Sequence, residues 1–274
     1  MVKHRRLVNL SKEVFAWLLS LVILVPFLMV LLNSVKSVTE AATMSLSLPS
    51  EFLFSNYLEV LKDKRIYSSF FNSLFLSTAA SLITLVVSAM AAFVISRNRT
   101  RLNMVVYSIF LLGLVAPMNY VTTMKVMQML NIINTYTGAY LLYSAIFIPF
   151  TVFLYFGFIG SIPKELDESA VIDGCGGGRL FFQVIFPLLK PVTVTAIIIN
   201  FLNCWNDFII PLYFLNSSDK WGMIMVMYNY FSTYISSWNL VSAAMILNLL
   251  PIIVVYAIGQ KYIISGMTAG AVKG

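Results

Sequence analysis

Two stretches of this sequence hold residues whose types and spacing have chemical consequences. The first runs Ser161-Ile-Pro-Lys-Glu-Leu-Asp-Glu-Ser-Ala-Val-Ile-Asp-Gly174 and continues through Arg179-Leu-Phe-Phe-Gln-Val-Ile-Phe-Pro187. It reads as a helix–turn–helix. Ser161 suits an N-cap and Pro163 the first turn. Glu165, Asp167 and Glu168 then lie at the positive end of the helix dipole, where acids are favoured. Ile162, Leu166 and Ala170 recur at spacing four and predict one apolar face. Gly174 is placed to end the helix in a left-handed conformation, and a second short helix is predicted from Arg179 to Phe186, ahead of Pro187. The product is a compact knob, apolar on one side and acidic on another. As a charge run alone, it reads equally as a solvated loop.

The second stretch holds Asn200, Asn203, Trp205, Asn206 and Asp207. The amides and the acid follow at steps of three or four and share one helix face. An ionisable group inside an apolar span costs a few kcal/mol against lipid, so Asp207 must face protein or a water-filled path. Trp205 offers an aromatic face on which a ring with an apolar C–H face can stack. Two readings stand on these residues: a polar, water-filled path, or interhelical hydrogen bonds with an aromatic near the membrane surface.

Catalysis has little to work with. His4 is alone, and Cys175 and Cys204 stand in no metal-ligand spacing, so no catalytic residue and no metal are expected. Gly174-Cys-Gly-Gly-Gly178 is no phosphate loop, because no strand precedes it and no Gly-Lys-Ser/Thr follows. The chain itself is therefore expected to bind no cofactor, ATP and Mg²⁺ included. Glycines at 176–178 cost roughly 1 kcal/mol each in a helix relative to alanine and predict a longer or looser turn.

The elements that position these stretches follow from composition. Of 274 residues, 59% are hydrophobic and 11% charged, against roughly 25% charged in soluble domains. Crossing about 30 Å of hydrocarbon takes roughly 20 helical residues. Long stretches almost free of charge predict six helices near 14–33, 72–96, 103–124, 138–160, 191–215 and 240–264. The first block is long and leads into no polar mature domain, so it is not read as a cleavable signal. No period-two alternation points to a barrel. The fold class is all-α, a polytopic membrane protein with six transmembrane helices and a cytoplasmic helix-turn-helix.

With the N-terminus inside, twelve Lys and Arg fall on inner segments and six on outer ones, which favours both termini in the cytoplasm. Arg97, Arg99 and Arg101 in one tight loop weigh most. The expected domains are a cytoplasmic N-terminus over 1–13, a six-span transmembrane domain over 14–265 enclosing the loop at 161–187, and a small, flexible cytoplasmic tail over 266–274. The net charge of +7 reads as topology and contact with anionic lipid. No nucleic-acid partner is expected, since no basic stripe is interleaved with aromatics.

Glu168-Ser-Ala-x-x-Asp-Gly174, followed after nine residues by Val184-x-Phe186-Pro187, resembles the EAA loop of binding-protein-dependent (MetI-like) ABC importer permeases. Ser169 replaces the usual first alanine. Ile162-Pro163-x-Glu165-Leu166, Trp205-Asn206-Asp207-Phe208 with Pro211-Leu212, Asn56-Tyr57, Asn72-Ser73 and the tail from Lys261 to Gly274 resemble the carbohydrate branch, closest to the MalG type. The resemblance covers nearly the whole chain. It implies a permease subunit of an ATP-driven carbohydrate or oligosaccharide importer in the bacterial plasma membrane, with no enzyme activity of its own. Implied partners are a cytoplasmic ABC ATPase dimer that carries ATP and Mg²⁺, a second permease forming a heterodimer, and an extracellular solute-binding protein. The resemblance also implies that Leu166, Glu168, Ala170, Ile172, Asp173, Gly174 and Pro187 form the ATPase-coupling loop. It further implies that the outer loop near 35–71 receives the binding protein and that Gly270, Lys273 and Gly274 approach the ATPase.

Overall fold

A computed structural model describes residues 2–233 and 237–271, and no strand occurs among them. The helices are α1 (Val2–Asn33), α2 (Val38–Ala41), α3 (Ser55–Lys62), α4 (Lys64–Arg97), α5 (Arg101–Val115), α6 (Tyr120–Met129), α7 (Tyr136–Ile159), α8 (Glu165–Ile172), α9 (Gly177–Arg179), α10 (Phe186–Leu188), α11 (Lys190–Trp205), α12 (Ile209–Phe214), α13 (Met223–Thr233) and α14 (Trp238–Ala271). Between α9 and α10, Leu180–Ile185 forms a π-helix. Among the described residues four helices are long and apolar enough to cross a bilayer, and up to six spans result if each of two bent pairs, α5 with α6 and residues 177–188 with α11, counts as one.

Two of the predicted spans are broken. The third bends by 119° between α5 and α6. Pro117 supplies no N–H and disfavours helical backbone at the residue before it; Ala116 accordingly turns extended at φ −68°, ψ 120°. Asn119 then restarts the chain, its side chain accepting the amides of Val121 and Thr122. The fifth span stops at Trp205 rather than continuing to 215, and resumes at Ile209. There the carboxylate of Asp207 accepts the amide of Ile210 at 2.9 Å, so a side chain replaces the helical ladder. Pro211 falls in the first turn of α12, where its missing N–H is tolerated.

The chain divides into two compact units. The first comprises residues 1–67 and 226–250. Its polar centre is Asn56, whose amide donates to the carbonyls of Ser34 at 3.0 Å and Lys36 at 2.9 Å and whose oxygen accepts from Asn239 at 3.0 Å. This ties the end of α1, the start of α3 and the start of α14 together. The Lys36 ammonium is wholly buried and reaches the Ser45 carbonyl at 2.7 Å. Glu40 closes the loop beside it. Its carboxylate accepts the hydroxyl and amide of Ser50 at 2.6 and 3.1 Å and completes a capping box with Ser37. The Ser50 hydroxyl and amide, then the Ser37 amide and hydroxyl, hold its pKa down at about 2.

The second unit comprises residues 68–225 and 251–274. Along α4, Ser77, Ala80, Ser81, Thr84, Ser88, Ala92 and Ser96 are buried. Small side chains let backbones approach closely where lipid supplies no hydrophobic drive. Ser144 of α7 donates to the Ala80 carbonyl at 3.2 Å across that contact. Asn72 and Ser73 fasten the segment before α13: the Asn72 amide donates to the Asp219 carbonyl at 2.8 Å, and the Ser73 hydroxyl accepts the Met223 amide at 2.8 Å. The core that supports the knob gathers Leu85, Ala89, Tyr155, Ile159, Phe181, Ile185 and Leu189 among others.

Candidate functional site

Between α7 and α11 the chain forms the knob expected from the sequence, with two corrections to its first helix. Helix α8 begins at Glu165 with Lys164 at the N-cap. Ser161 does not cap it; its hydroxyl turns back to the Phe158 carbonyl at 2.7 Å. Three acids in the first turn act on the free amides through the helix dipole instead. Because Ile162 precedes the helix, spacing four does not align it with Leu166. Ile162 and Ala170 are buried, while Leu166 is 41% exposed. Ala170 is therefore part of the knob's own core and offers nothing to a partner.

Helix α8 ends as predicted. Gly174 has φ +81°. The Cys175 amide donates to the Ala170 carbonyl at 2.9 Å and the Gly174 amide to that of Val171 at 3.0 Å. These are the two bonds of a Schellman motif. The glycine run is not a loose turn: Gly177 and Gly178 already belong to α9. The chain then widens into the π-helix, which buries Leu180, Phe181 and Ile185.

One side of α8 is fixed to the membrane helices. The Arg97 guanidinium, at the end of α4, places Nε 2.6 Å from Asp167 Oδ2 and donates from Nη2 to Asp167 Oδ1 at 3.1 Å. Its Nη1 donates to the Ile162 carbonyl at 3.1 Å and to that of Ile159 at 3.4 Å. The planar fork thus holds an acid of the knob and the end of α7 together. The other side is open: Glu165, Glu168, Val171, Ile172 and Asp173 are exposed, Ile172 at 85%. Pro187 is exposed near the knob's end.

The polar stretch of α11 separates into distinct roles. Asn200 is buried and donates to Thr151 at 3.1 Å. Asn203 is exposed; both line a cleft of about 840 Å³ with Gly113, Met118, Phe147 and Pro149. Asn206 is exposed and donates back to the Leu202 carbonyl at 3.0 Å. Asp207 accepts the Ile210 amide in the first turn of α12 and the Tyr143 hydroxyl, each at 2.9 Å. Trp205 is 1% exposed, stacked on Phe201 and edge-on to Phe70. It presents no face to a sugar and is a packing residue.

Residues 85–269 match the family described as "Binding-protein-dependent transport system inner membrane component". The chain belongs to this family. It is 33% identical to the multiple sugar-binding transport system permease protein MsmG of Streptococcus mutans, over 100% of each chain. It is also 33% identical to the melibiose/raffinose/stachyose import permease protein MelC of Bacillus subtilis, over 91% of each. A third relative, at 30% identity over 98% of this chain and 99% of the other, is the probable starch degradation products transport system permease protein AmyC of Thermoanaerobacterium thermosulfurigenes. A crystal structure of a bacterial ABC transporter involved in the import of the acidic polysaccharide alginate shares the fold, with a TM-score of 0.83 over 94% of this chain and 96% of that one, at 21% identity.

The part matched to the permease family spans the knob, both helix breaks and most of α14. Two residues, one bracing the knob and one within it, escape a reading by motif. Arg97 counts in the sequence only as a topological charge; its signal is a base closing one span while an acid run opens the knob. Val171 is a further exposed apolar side chain of α8 but stands at an unassigned motif position. The backbone of α14 continues to Ala271, through Gly270, so the segment from Gly266 is helical rather than flexible. Lys273 and Gly274 lie outside the described residues.

Proposed function

We propose that this chain is the permease subunit of an ATP-driven importer that carries a carbohydrate or oligosaccharide across the bacterial plasma membrane. An extracellular binding protein delivers the solute, a second permease completes a heterodimer, and both termini lie in the cytoplasm. The proposed boundaries follow the same reading: an inner N-terminus over 1–13, the permease domain over 14–265, and a tail from 266 that approaches the ATPase. The carbohydrate assignment is supported by the transport roles in the names of the three relatives. The energy source is an ATPase dimer docked on the knob, and ATP and Mg²⁺ belong to that partner.

One observation carries the coupling role: the knob leaves the apolar side chains of Leu166, Val171 and Ile172 exposed while its inner face is locked by Arg97. Apolar side chains this exposed in water favour burial against a partner. Glu168, one turn before Ile172, adds a charge that a basic rim can hold. Movement of the ATPase then reaches the spans through α7, α11 and α4. The cleft lined by Asn200 and Asn203 is the proposed wall of the path, with Asp207 and Asn206 holding its broken end.

Affinity purification of the tagged permease in mild detergent tests this. The unaltered chain should bring down an ATPase and a second permease. Ile172→Asp should lose the ATPase and keep the second permease; Glu168→Lys should uncouple ATP hydrolysis from uptake. Full ATPase recovery and normal uptake with both variants would exclude the knob as the docking site.

A further inference from the structure

Trp205 is packed away, yet an open aromatic surface is built from one residue of each broken span. Tyr120 opens α6 and Tyr213 lies in α12. Their rings stack with centroids 5.2 Å apart and planes 28° apart. They remain 39% and 43% exposed, and no hydrogen bond to either hydroxyl is found among the described residues. Phenol hydroxyls facing hydrocarbon lose their hydrogen bonds at a cost of a few kcal/mol, so such a pair belongs where water or a polar solute reaches it.

Depth supports the same conclusion. Helix α5 rises 15 residues from the knob side before its break, and α11 rises 16. At about 1.5 Å per residue both breaks stand roughly 22–24 Å up, within a slab about 30 Å thick; tilt only lowers them. Unwound backbone at that depth persists where protein covers it or water lines it. Pro117, Asn119 and Asn206 at the breaks are exposed. Met118 and Thr123, on either side of Tyr120, line the same cleft as Asn203.

We propose that the Tyr120–Tyr213 stack is a platform for a pyranose ring on the wall of the translocation path. The proposal rests on the carbohydrate reading above and assigns the stacking role to these tyrosines in place of Trp205. It predicts water access and saccharide protection at both positions, neither of which a lipid-facing aromatic pair shows.

The experiment uses the whole complex, with ATPase, second permease and binding protein, in nanodiscs. Cys175 and Cys204 are replaced by alanine, and Tyr120→Cys or Tyr213→Cys is introduced. A charged, membrane-impermeant methanethiosulfonate should label both positions. An equimolar mixture of raffinose, maltotriose and diacetylchitobiose should slow that labelling roughly tenfold. Tyr120→Leu and Tyr213→Leu should each raise the KM for saccharide uptake about tenfold, and the Trp variants should stay within about twofold, because stacking needs an aromatic face. No labelling, or labelling without protection in a complex that does take up one of these saccharides, overturns the platform and leaves the carbohydrate reading intact. Absence of uptake of all three by the unaltered complex, together with unprotected labelling, overturns both.

Discussion

Arg97 closes four contacts at once, to both carboxylate oxygens of Asp167 and to the carbonyls of Ile159 and Ile162. Lysine carries the charge but not the fork, so Arg97→Lys should retain the ion pair and lose the carbonyl contacts. Asp167→Asn leaves a largely buried guanidinium short of its counter-charge. Each change should destabilise the knob by about 1–3 kcal/mol, read as a lower Tm of the purified complex; an unchanged Tm for both would mean that this pair does not brace the knob. Glu40 gives a pH test on the other unit. Its carboxyl is depressed from 4.5 to about 2, so the ties to Ser37 and Ser50 are fully present above pH 4.5 and are lost as pH falls towards about 2. Infrared difference titration against Glu40→Gln should find a midpoint near about 2, and a midpoint at 4.5 would mean the loop is not held this way. At this scale the sequence was a mixed guide. Gly174 was legible because one backbone conformation is reserved for residues without a Cβ. Trp205 was not, because a helix apolar on nearly every face carries no periodic signal of which side turns inward.

Elements were legible where composition decides them and illegible where single residues break them. The lipid requirement set the number and approximate location of the spans, while Pro117 and Asp207 cut two of them inside an apolar run. Both signals are present in the chain: a proline followed by an amide capper, and an acid three residues before the amide it accepts. The knob's glycine run makes opposite predictions at neighbouring positions. A Cβ on Gly177 or Gly178 would meet nothing within 4 Å, so Gly177→Ala and Gly178→Ala should each stabilise by about 0.5–1 kcal/mol. Gly174→Ala places a side chain at φ +81° and should destabilise by about 1–2 kcal/mol. Chemical unfolding of the detergent-solubilised complex measures all three; a destabilising Gly177→Ala would mean the loop needs its looseness.

At the scale of the molecule, the orientation drawn from Lys and Arg is the expectation most open to direct test. Single cysteines at Asp173 and Arg99 should react with an impermeant thiol reagent only in inverted vesicles, and one at Ser50 only in intact cells stripped of their wall. The reverse pattern would put the knob on the wrong side for an ATPase. The overall architecture was legible because a bilayer admits so few backbone solutions; the grip between Arg97 and Asp167 was not, because it joins residues 70 apart in sequence. That grip has a mechanical consequence. A body held at two points keeps one free axis of rotation, and a knob joined only to α7 and α11 would swivel about the line between them. A third point of attachment off that line removes the axis, so a push on Ile172 is delivered as torque on three helices instead of being spent in a swivel.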